Sequence, residues 1–199
     1  MTSAASLRKK LRAQRRKLSR TEQLQHARKL ASLVVKHRLF RASRHIAVYF
    51  AADGEIDPAL LARAIWQRKR RCYLPVLNAP YPRSMAFALY RPDSRLKLNQ
   101  FRIPEPVTGR KHLRRSKQLD LVMMPLVAFD AQGNRLGMGA GYYDRTLAHL
   151  LWQGKWRKPK LVGLAHELQK VSRLSVQPWD VPMNAVATEK AIYSFGNRG

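Results

Sequence analysis

Leu121-Val122-Met123-Met124, bounded by Asp120, is apolar at consecutive positions, and it is followed by Arg135-Leu136-Gly137-Met138-Gly139-Ala140-Gly141-Tyr142-Tyr143-Asp144-Arg145. A short run without polar alternation fits a strand buried on both faces, the position a central strand takes in a sheet with helices on either side. The glycine-rich stretch then leads into a helix that begins at Tyr142 or Tyr143 and runs to Leu151. Working outward, the same alternation recurs. His45–Phe50 (HIAVYF) reads as a strand. It runs into a turn at Asp53-Gly54, and Asp57-Pro58 caps a helix whose apolar face is Leu60, Leu61, Ala64 and Ile65. Cys72–Val76, Met85–Tyr90, Lys160–Ala165, Ala185–Thr188 and Ala191–Phe195 supply further strands. Two helices open the chain, Leu7–Leu18 and Thr21–Phe40, the second capped by Ser19 or Thr21. Residues 91–119, with scattered prolines and charges, predict an irregular excursion with one short helix near Lys111–Ser116, long enough to cover a site. The sum is an α/β chain: a single domain over residues 1–199, built as an open, largely parallel twisted sheet with helices on both faces, a Rossmann-like three-layer arrangement. Such sheets bind ligands beyond the carboxyl ends of their strands.

Composition bounds the function. Of the 199 residues, 39 are Lys or Arg and 12 are Asp or Glu, a formal charge of +27, with 45% hydrophobic residues to build one sizeable core. The longest apolar run, Leu121–Phe129, is far short of a membrane span. No apolar segment follows the basic N-terminus, so no cleaved secretory signal is expected, and the lone Cys72 allows no internal disulfide. A cytoplasmic protein is the expectation. Basic residues are spread in runs at 8–20, 68–71, 110–117 and 155–160, so the charge is not a detachable tail. It attracts polyanions and makes nucleic acid a partner through charge alone, but there is no ribonucleoprotein-type aromatic strand, G-x-x-G loop or zinc knuckle. The six histidines show no metal-binding spacing, and no G-x-S-x-G elbow occurs. The four tryptophans, Trp66, Trp152, Trp156 and Trp179, read as core or interface residues.

Three constellations carry chemistry. Alternate glycines 137, 139 and 141 between a strand and a helix let backbone N–H groups approach an anion, with Arg135 and Arg145 flanking; a tight turn is the other reading. The spacing matches neither the Rossmann fingerprint nor a Walker A loop. Acids stand at alternate positions 53, 55 and 57. Asp53 belongs to a turn and Asp57 to a helix cap, which leaves Glu55 for a polar contact or a proton, or for solvent. Asp144 lies within the candidate phosphate loop, where Mg²⁺ would reconcile it with phosphate; a helix-dipole contact or an ion pair with a nearby Arg is the alternative.

Met124-Pro125-Leu126-Val127-Ala128-Phe129-Asp130, Gly133-Asn134-Arg135-Leu136-Gly137 and the Gly141–Arg145 end resemble the 5-formyltetrahydrofolate cyclo-ligase family. The likeness extends to the Leu7-Arg8 helix ending at Leu18-Ser19, to Tyr49–Ile56, Phe101–Pro106, Gly163–His166 and Val186–Glu189. What it implies is an ATP- and Mg²⁺-dependent enzyme that converts 5-formyltetrahydrofolate to 5,10-methenyltetrahydrofolate through a phosphorylated formyl group, releasing ADP and phosphate. Arg8 and residues Arg135, Leu136, Gly137, Met138, Gly139, Ala140, Gly141, Tyr142 and Tyr143 would contact ATP. Phe50, Glu55 and Met138–Tyr142 would contact the folate, Asp144 would hold magnesium, and Glu55 and Arg145 stand as the catalytic candidates. The sequence departs from the family pattern where many relatives have a lysine and this chain has Ala4. It also departs at Met138 and Ala140, which can be basic, and at Asn184, where some have a metal-site aspartate. Lys9, Lys10 or Arg16 would compensate for Ala4. A polyglutamylated folate suits the basic surface, and a monomer is the favoured state. The alternative function is an RNA-binding protein that uses the basic surface of the same scaffold.

Overall fold

The computed structural model describes residues 3–79, 82–152 and 158–196. In chain order the elements are α1 (Ala4–Arg16), α2 (Arg20–Val34), α3 (Arg38–Ala42), β1 (His45–Ala47), α4 (Ala59–Gln67), β2 (Arg71–Leu77) and β3 (Met85–Tyr90). Then come β4 (Leu96–Leu98), β5 (Pro104–Pro106), β6 (Leu121–Pro125), β7 (Ala128–Phe129), β8 (Arg135–Leu136), α5 (Tyr142–Leu147), α6 (His149–Trp152), β9 (Lys160–Leu164), β10 (Ala185–Ala187) and β11 (Ile192–Ser194). The main sheet has seven strands in the order β11-β10-β9-β6-β1-β2-β3. The five inner strands are parallel, and β3 and β11 close the two edges antiparallel.

Strand β6 sits at the centre, as its unbroken apolar sequence predicts, with Leu121 opposite Ile46 and Met123 opposite Val162. Alternation along the strands separates two cores. Ile46, Cys72, Leu74, Leu121, Met123 and Val162 meet Leu30 and Val34 of α2 and Leu61 and Ile65 of α4 on one face. Ala47, Tyr73, Phe87, Val122, Met124 and Leu161 meet Leu147 and Leu150 on the other. Helices therefore cover both faces, and burying each such side chain contributes about 1.5–3 kcal/mol.

Local chemistry sets the ends. Ser19 Oγ accepts the Glu22 N–H at 3.2 Å while Glu22 Oε2 accepts the Ser19 N–H at 2.8 Å, a capping box that opens α2. The predicted helix 21–40 stops at Val34, and a second short helix begins after His37, whose ring Nδ1 accepts the Leu39 N–H at 3.4 Å. The helix starts one residue later than predicted, at Ala59, with Pro58 rather than Asp57 at the N-cap, and the Asp57 carboxylate accepts the Ala59 N–H at 2.9 Å in the turn before it. Residues 91–119 are more ordered than their composition predicts. β4 pairs with β5, buried Glu105 accepts from Leu77 N and Asn99 Nδ2 at 3.0 and 2.8 Å, and two 3₁₀ turns replace the single helix. Trp66 packs against the core and donates from Nε1 to Tyr90 O at 2.9 Å, whereas Trp152 and Trp179 are exposed and so are not core residues; Trp156 lies outside the described residues.

Candidate active site

Beyond the carboxyl end of β1 the chain leaves the sheet and makes a tight turn at Asp53-Gly54. Both residues have positive φ, 54° and 75°, and the Glu55 N–H closes the turn on Ala52 O at 3.0 Å. A Cβ on Gly54 would stand 3.2 Å from Arg15 O, so glycine is required both by conformation and by the close approach of α1.

Helix α1 lies over this turn and presents arginines at helical spacing. Arg15 is fully buried. Its Nε donates to Asp53 O at 2.7 Å, Nη2 to Asp53 Oδ2 at 2.9 Å and Nη1 to Leu126 O at 3.3 Å, and Nη2 is 3.6 Å from Glu55 Oε1. Arg12 donates to Asp53 Oδ2 at 2.7 Å, and Arg16 to Oδ1. Burial opposes ionisation of Asp53, but hydrogen bonds from Arg12, Arg16 and Arg15 prevail and hold its carboxyl at about 2. Asp53 thus has a second task besides the turn assigned from sequence: it gathers three guanidinium groups.

Glu55 has the opposite balance. Its side chain is 10% exposed, and burial pushes its pKa to about 6 against the pull of Arg15 and of the Ala52 N–H, which donates to Oε2 at 3.1 Å. Two phenols feel its charge: buried Tyr49, which donates to Ile56 O at 2.8 Å, and the partly buried Tyr143. Both are held well above the usual tyrosine range, chiefly by burial and next by Glu55. Glu55 is therefore a protonation-poised carboxyl in a nearly dry niche with a permanent cation beside it.

The glycine loop forms the other wall, and Arg8 ties it to α1: its Nε donates to Gly137 O at 2.8 Å, and its guanidinium carbon lies 3.9 Å from where a Cβ on Gly139 would be. Leu136 O accepts the Val127 N–H at 2.7 Å, rooting the loop on the β7–β8 hairpin. Gly141 has φ 67° and starts α5, with the Arg145 guanidinium in the space that a side chain would fill. Arg145 also donates to Arg83 O at 2.9 Å and to Ala140 O, and stacks over Tyr142. The Tyr142 hydroxyl accepts from Gln100 Nε2 and donates to Asn78 Oδ1, each at 3.2 Å, and Phe101 meets its ring edge-on at 6.1 Å. Met138 is 48% exposed at the tip of the loop.

Arg135 is committed to Asp144 and to Val181 O. Both alternatives to a metal ligand are met at Asp144, which pairs with Arg135 and stands in the first turn of α5. The pair leaves Oδ2 without a protein partner among the described residues, on a side chain 27% exposed, so one carboxylate oxygen fits a divalent cation that takes its other ligands from phosphate and water. Asn184 is engaged elsewhere: its Oδ1 accepts the Leu161 N–H at 2.8 Å. Phe50 packs edge-on against Tyr90 at 5.7 Å and lines a cleft of about 350 Å³ with Tyr49, Asp57, Arg63 and Trp66; neither Glu55 nor residues 135–145 line that cleft. The sequence-predicted residues thus fall in separate places. Glu55 and the start of the glycine loop both lie against α1, through Arg15 and Arg8, while Tyr142 and Arg145 reach away to Asn78, Gln100 and Arg83, and Phe50 faces the α4 side. Sequence reasoning missed Arg15, although Arg8, Leu11, Arg12 and Arg15 lie on one helical stripe whose leucine is buried.

The sequence model of the 5-formyltetrahydrofolate cyclo-ligase family matches residues 1–189. The chain belongs to this family. A 5-formyltetrahydrofolate cyclo-ligase of Haemophilus influenzae is 44% identical over 143 residues, 72% of this chain and 74% of the relative, and that of Escherichia coli K12 is 36% identical over 185 residues, 93% of this chain and all of the relative. The solution structure of the Aquifex aeolicus 5,10-methenyltetrahydrofolate synthetase superposes with a TM-score of 0.81 at 30% identity, covering 98% of this chain and 95% of that one. The protein is therefore an enzyme of the cyclo-ligase family. Among the described residues no helix is long and apolar enough to cross a membrane.

Proposed function

We propose that this cyclo-ligase, a single domain over residues 1–199, converts 5-formyltetrahydrofolate to 5,10-methenyltetrahydrofolate at the expense of ATP. The observation that carries the reading is the pairing, under one helix, of a cation-flanked glycine loop with the buried carboxyl of Glu55. ATP phosphates lie along the loop 135–143, where backbone N–H groups, Arg8 and the start of α5 supply positive potential. Met138 and Ala140 bring no charge of their own, so backbone donors and the α1 arginines carry that load, including the part that Ala4 does not supply. Asp144 holds Mg²⁺, which when bound neutralises phosphate charge. Asn184 holds the Leu161 N–H of the sheet through Oδ1, so the reading rests the cation on Asp144, phosphate and water.

Phosphoryl transfer needs little from the protein beyond positioning and charge stabilisation. The formyl oxygen takes the γ-phosphoryl group as ADP leaves, N10 attacks the activated carbon and loses its proton to solvent, and the C–O bond breaks to release phosphate that carries the former formyl oxygen. Arg145 and Arg8 stabilise the transferring group. Glu55, poised between its charged and neutral forms, holds the polar edge of the pterin and manages its proton. Met138 and Tyr142 give the folate an apolar contact, and Phe50 lines the neighbouring cleft. The surplus of basic residues favours folates that carry an anionic polyglutamate tail. The enzyme works as a monomer in the cytoplasm. RNA binding rests on charge alone, and neither the family match nor the named relatives add to it. The test is turnover with each of folate, ATP and Mg²⁺ omitted in turn. Product, followed by the absorbance of methenyltetrahydrofolate, is expected only with all three; silence from folded protein would refute the reading.

A further inference from the structure

Behind the Glu55 turn lies a chain of ring nitrogens that the reaction does not use directly. His166, at the end of β9, is fully buried, and its Nε2 is 3.1 Å from Gly54 O. A carbonyl only accepts, so Nε2 carries the proton and donates. Burial keeps the ring neutral, its pKa lowered to about 4, so Nδ1 is left with a bare lone pair. His26 of α2 stands 2.9 Å away through its own Nδ1, which must then be the donor. The far nitrogen of His26, Nε2, faces Glu189 Oε1 at 3.9 Å, and Glu189 Oε2 accepts the Glu167 N–H at 2.9 Å. His26, His166 and Glu189 bring their polar atoms within 4.8 Å of one another. The two ring contacts form a directed hydrogen-bond chain, His26 Nδ1–H to His166 Nδ1 and His166 Nε2–H to Gly54 O, while Glu189 Oε1, 3.9 Å from His26 Nε2, stands outside hydrogen-bond reach.

The chain is anchored at its base. His166 N donates to Gln169 Oε1 at 2.8 Å, and Gln169 Nε2 donates to Leu126 O and Val127 O at 2.7 and 3.0 Å, so the loop carrying the ring is pinned to the end of β6. Gly54 O belongs to the peptide whose N–H is that of Glu55. Holding that carbonyl fixes the plane of the peptide and the direction in which the Glu55 side chain leaves the backbone. The charged groups around Glu55 are Arg15, Arg12 and Asp53, the last also held by Arg16, and the neutral phenols of Tyr49 and Tyr143 complete its titratable surroundings.

We propose that His166 is a positioning residue for Glu55, fixing the Gly54–Glu55 peptide through Nε2–H while His26 locks the tautomer that donates. The inference deepens the ligase reading and rests on the role given there to Glu55. Loss of one hydrogen bond that orients a metal ligand typically costs ten- to a hundredfold, and a loss of that order is expected here.

Two measurements on the full chain test it. Long-range ¹H–¹⁵N correlation spectra at neutral pH should show His166 as the neutral Nε2–H tautomer and His26 protonated at Nδ1; His166 protonated at Nδ1 would overturn the proposal whatever the activity. In turnover, His166→Gln keeps a donor where Nε2 stood and should hold kcat within about threefold. His166→Phe should lose at least tenfold in kcat with both KM values within about threefold. If the Phe variant does not fold, the partly exposed His26 decides: His26→Asn retains the Nδ1 donor and should match wild type within twofold, while His26→Leu should fall by threefold or more. Equal kcat for the Gln and Phe variants, or for the Asn and Leu variants, would overturn the proposal in an enzyme whose wild type is active; an inactive wild type would instead overturn the ligase reading itself.

Discussion

Replacing Glu55 by Gln should make the folded protein more stable at neutral pH while it loses activity. The folded-state pKa is raised from 4.5 to about 6, a difference of roughly 1.5 units, and each unit corresponds to about 1.36 kcal/mol. Because the folded value is the higher one, the carboxyl's contribution to stability is fully present below pH 4.5 and is lost as pH rises through about 6. At about pH 7.5 the ionised, buried Glu55 therefore costs the fold about 2 kcal/mol. Gln is isosteric, keeps an oxygen for the Ala52 N–H and cannot ionise, and Arg15 retains Asp53. Urea unfolding of both proteins at about pH 7.5 should show the variant more stable by up to about 2 kcal/mol, equivalent to a rise in Tm of roughly 4–8 °C for a chain of this size. At about pH 4.5 the gain should shrink below roughly 0.5 kcal/mol. A variant less stable than wild type at pH 7.5, or a gain that does not change with pH, would refute the reasoning.

Other perturbations separate the parts of the site. Arg15→Met leaves Asp53 and Glu55 without their buried cation and should cost about 3–5 kcal/mol in chemical denaturation; a loss below 1 kcal/mol would mean that Arg12 and Arg16 suffice. Asp144→Ala frees Arg135 and removes the carboxylate proposed for the cation, so Mg²⁺-dependent turnover should vanish; retained turnover would contradict that assignment. Gly54→Ala places a Cβ at φ 75° and 3.2 Å from Arg15 O and should destabilise by about 1–2 kcal/mol, read as a drop in urea midpoint.

How far the sequence discloses this molecule depends on the range of the interaction involved. β6 and β3 were legible because their burial is written in consecutive residues, and the start of α2 was legible to within two candidates, Ser19 and Thr21, of which the structure selects Ser19 with Glu22 as its reciprocal partner. The division of residues 20–42 into two helices was not, since apolar spacing persists across the break and the His37 cap has no conspicuous signature. β5 was hidden because Pro-Glu-Pro is an improbable strand; it is held by its pairing with β4 and by Glu105. In the site, Glu55 and the glycine loop stood out through local anomalies, an acid without a structural task and glycines at alternate positions. Arg15 and His166 did not. Their partners lie 38 and 112 residues away, and only the fold brings a buried guanidinium and a neutral imidazole to the same turn.

The central claim, that the formyl oxygen is activated by phosphorylation in this site, is tested most directly with 5-formyltetrahydrofolate labelled with ¹⁸O in the formyl group. Mass spectrometry of the phosphate released with ATP and Mg²⁺ should find one ¹⁸O per phosphate, formed in step with methenyltetrahydrofolate. Unlabelled phosphate accompanying that product would contradict the account.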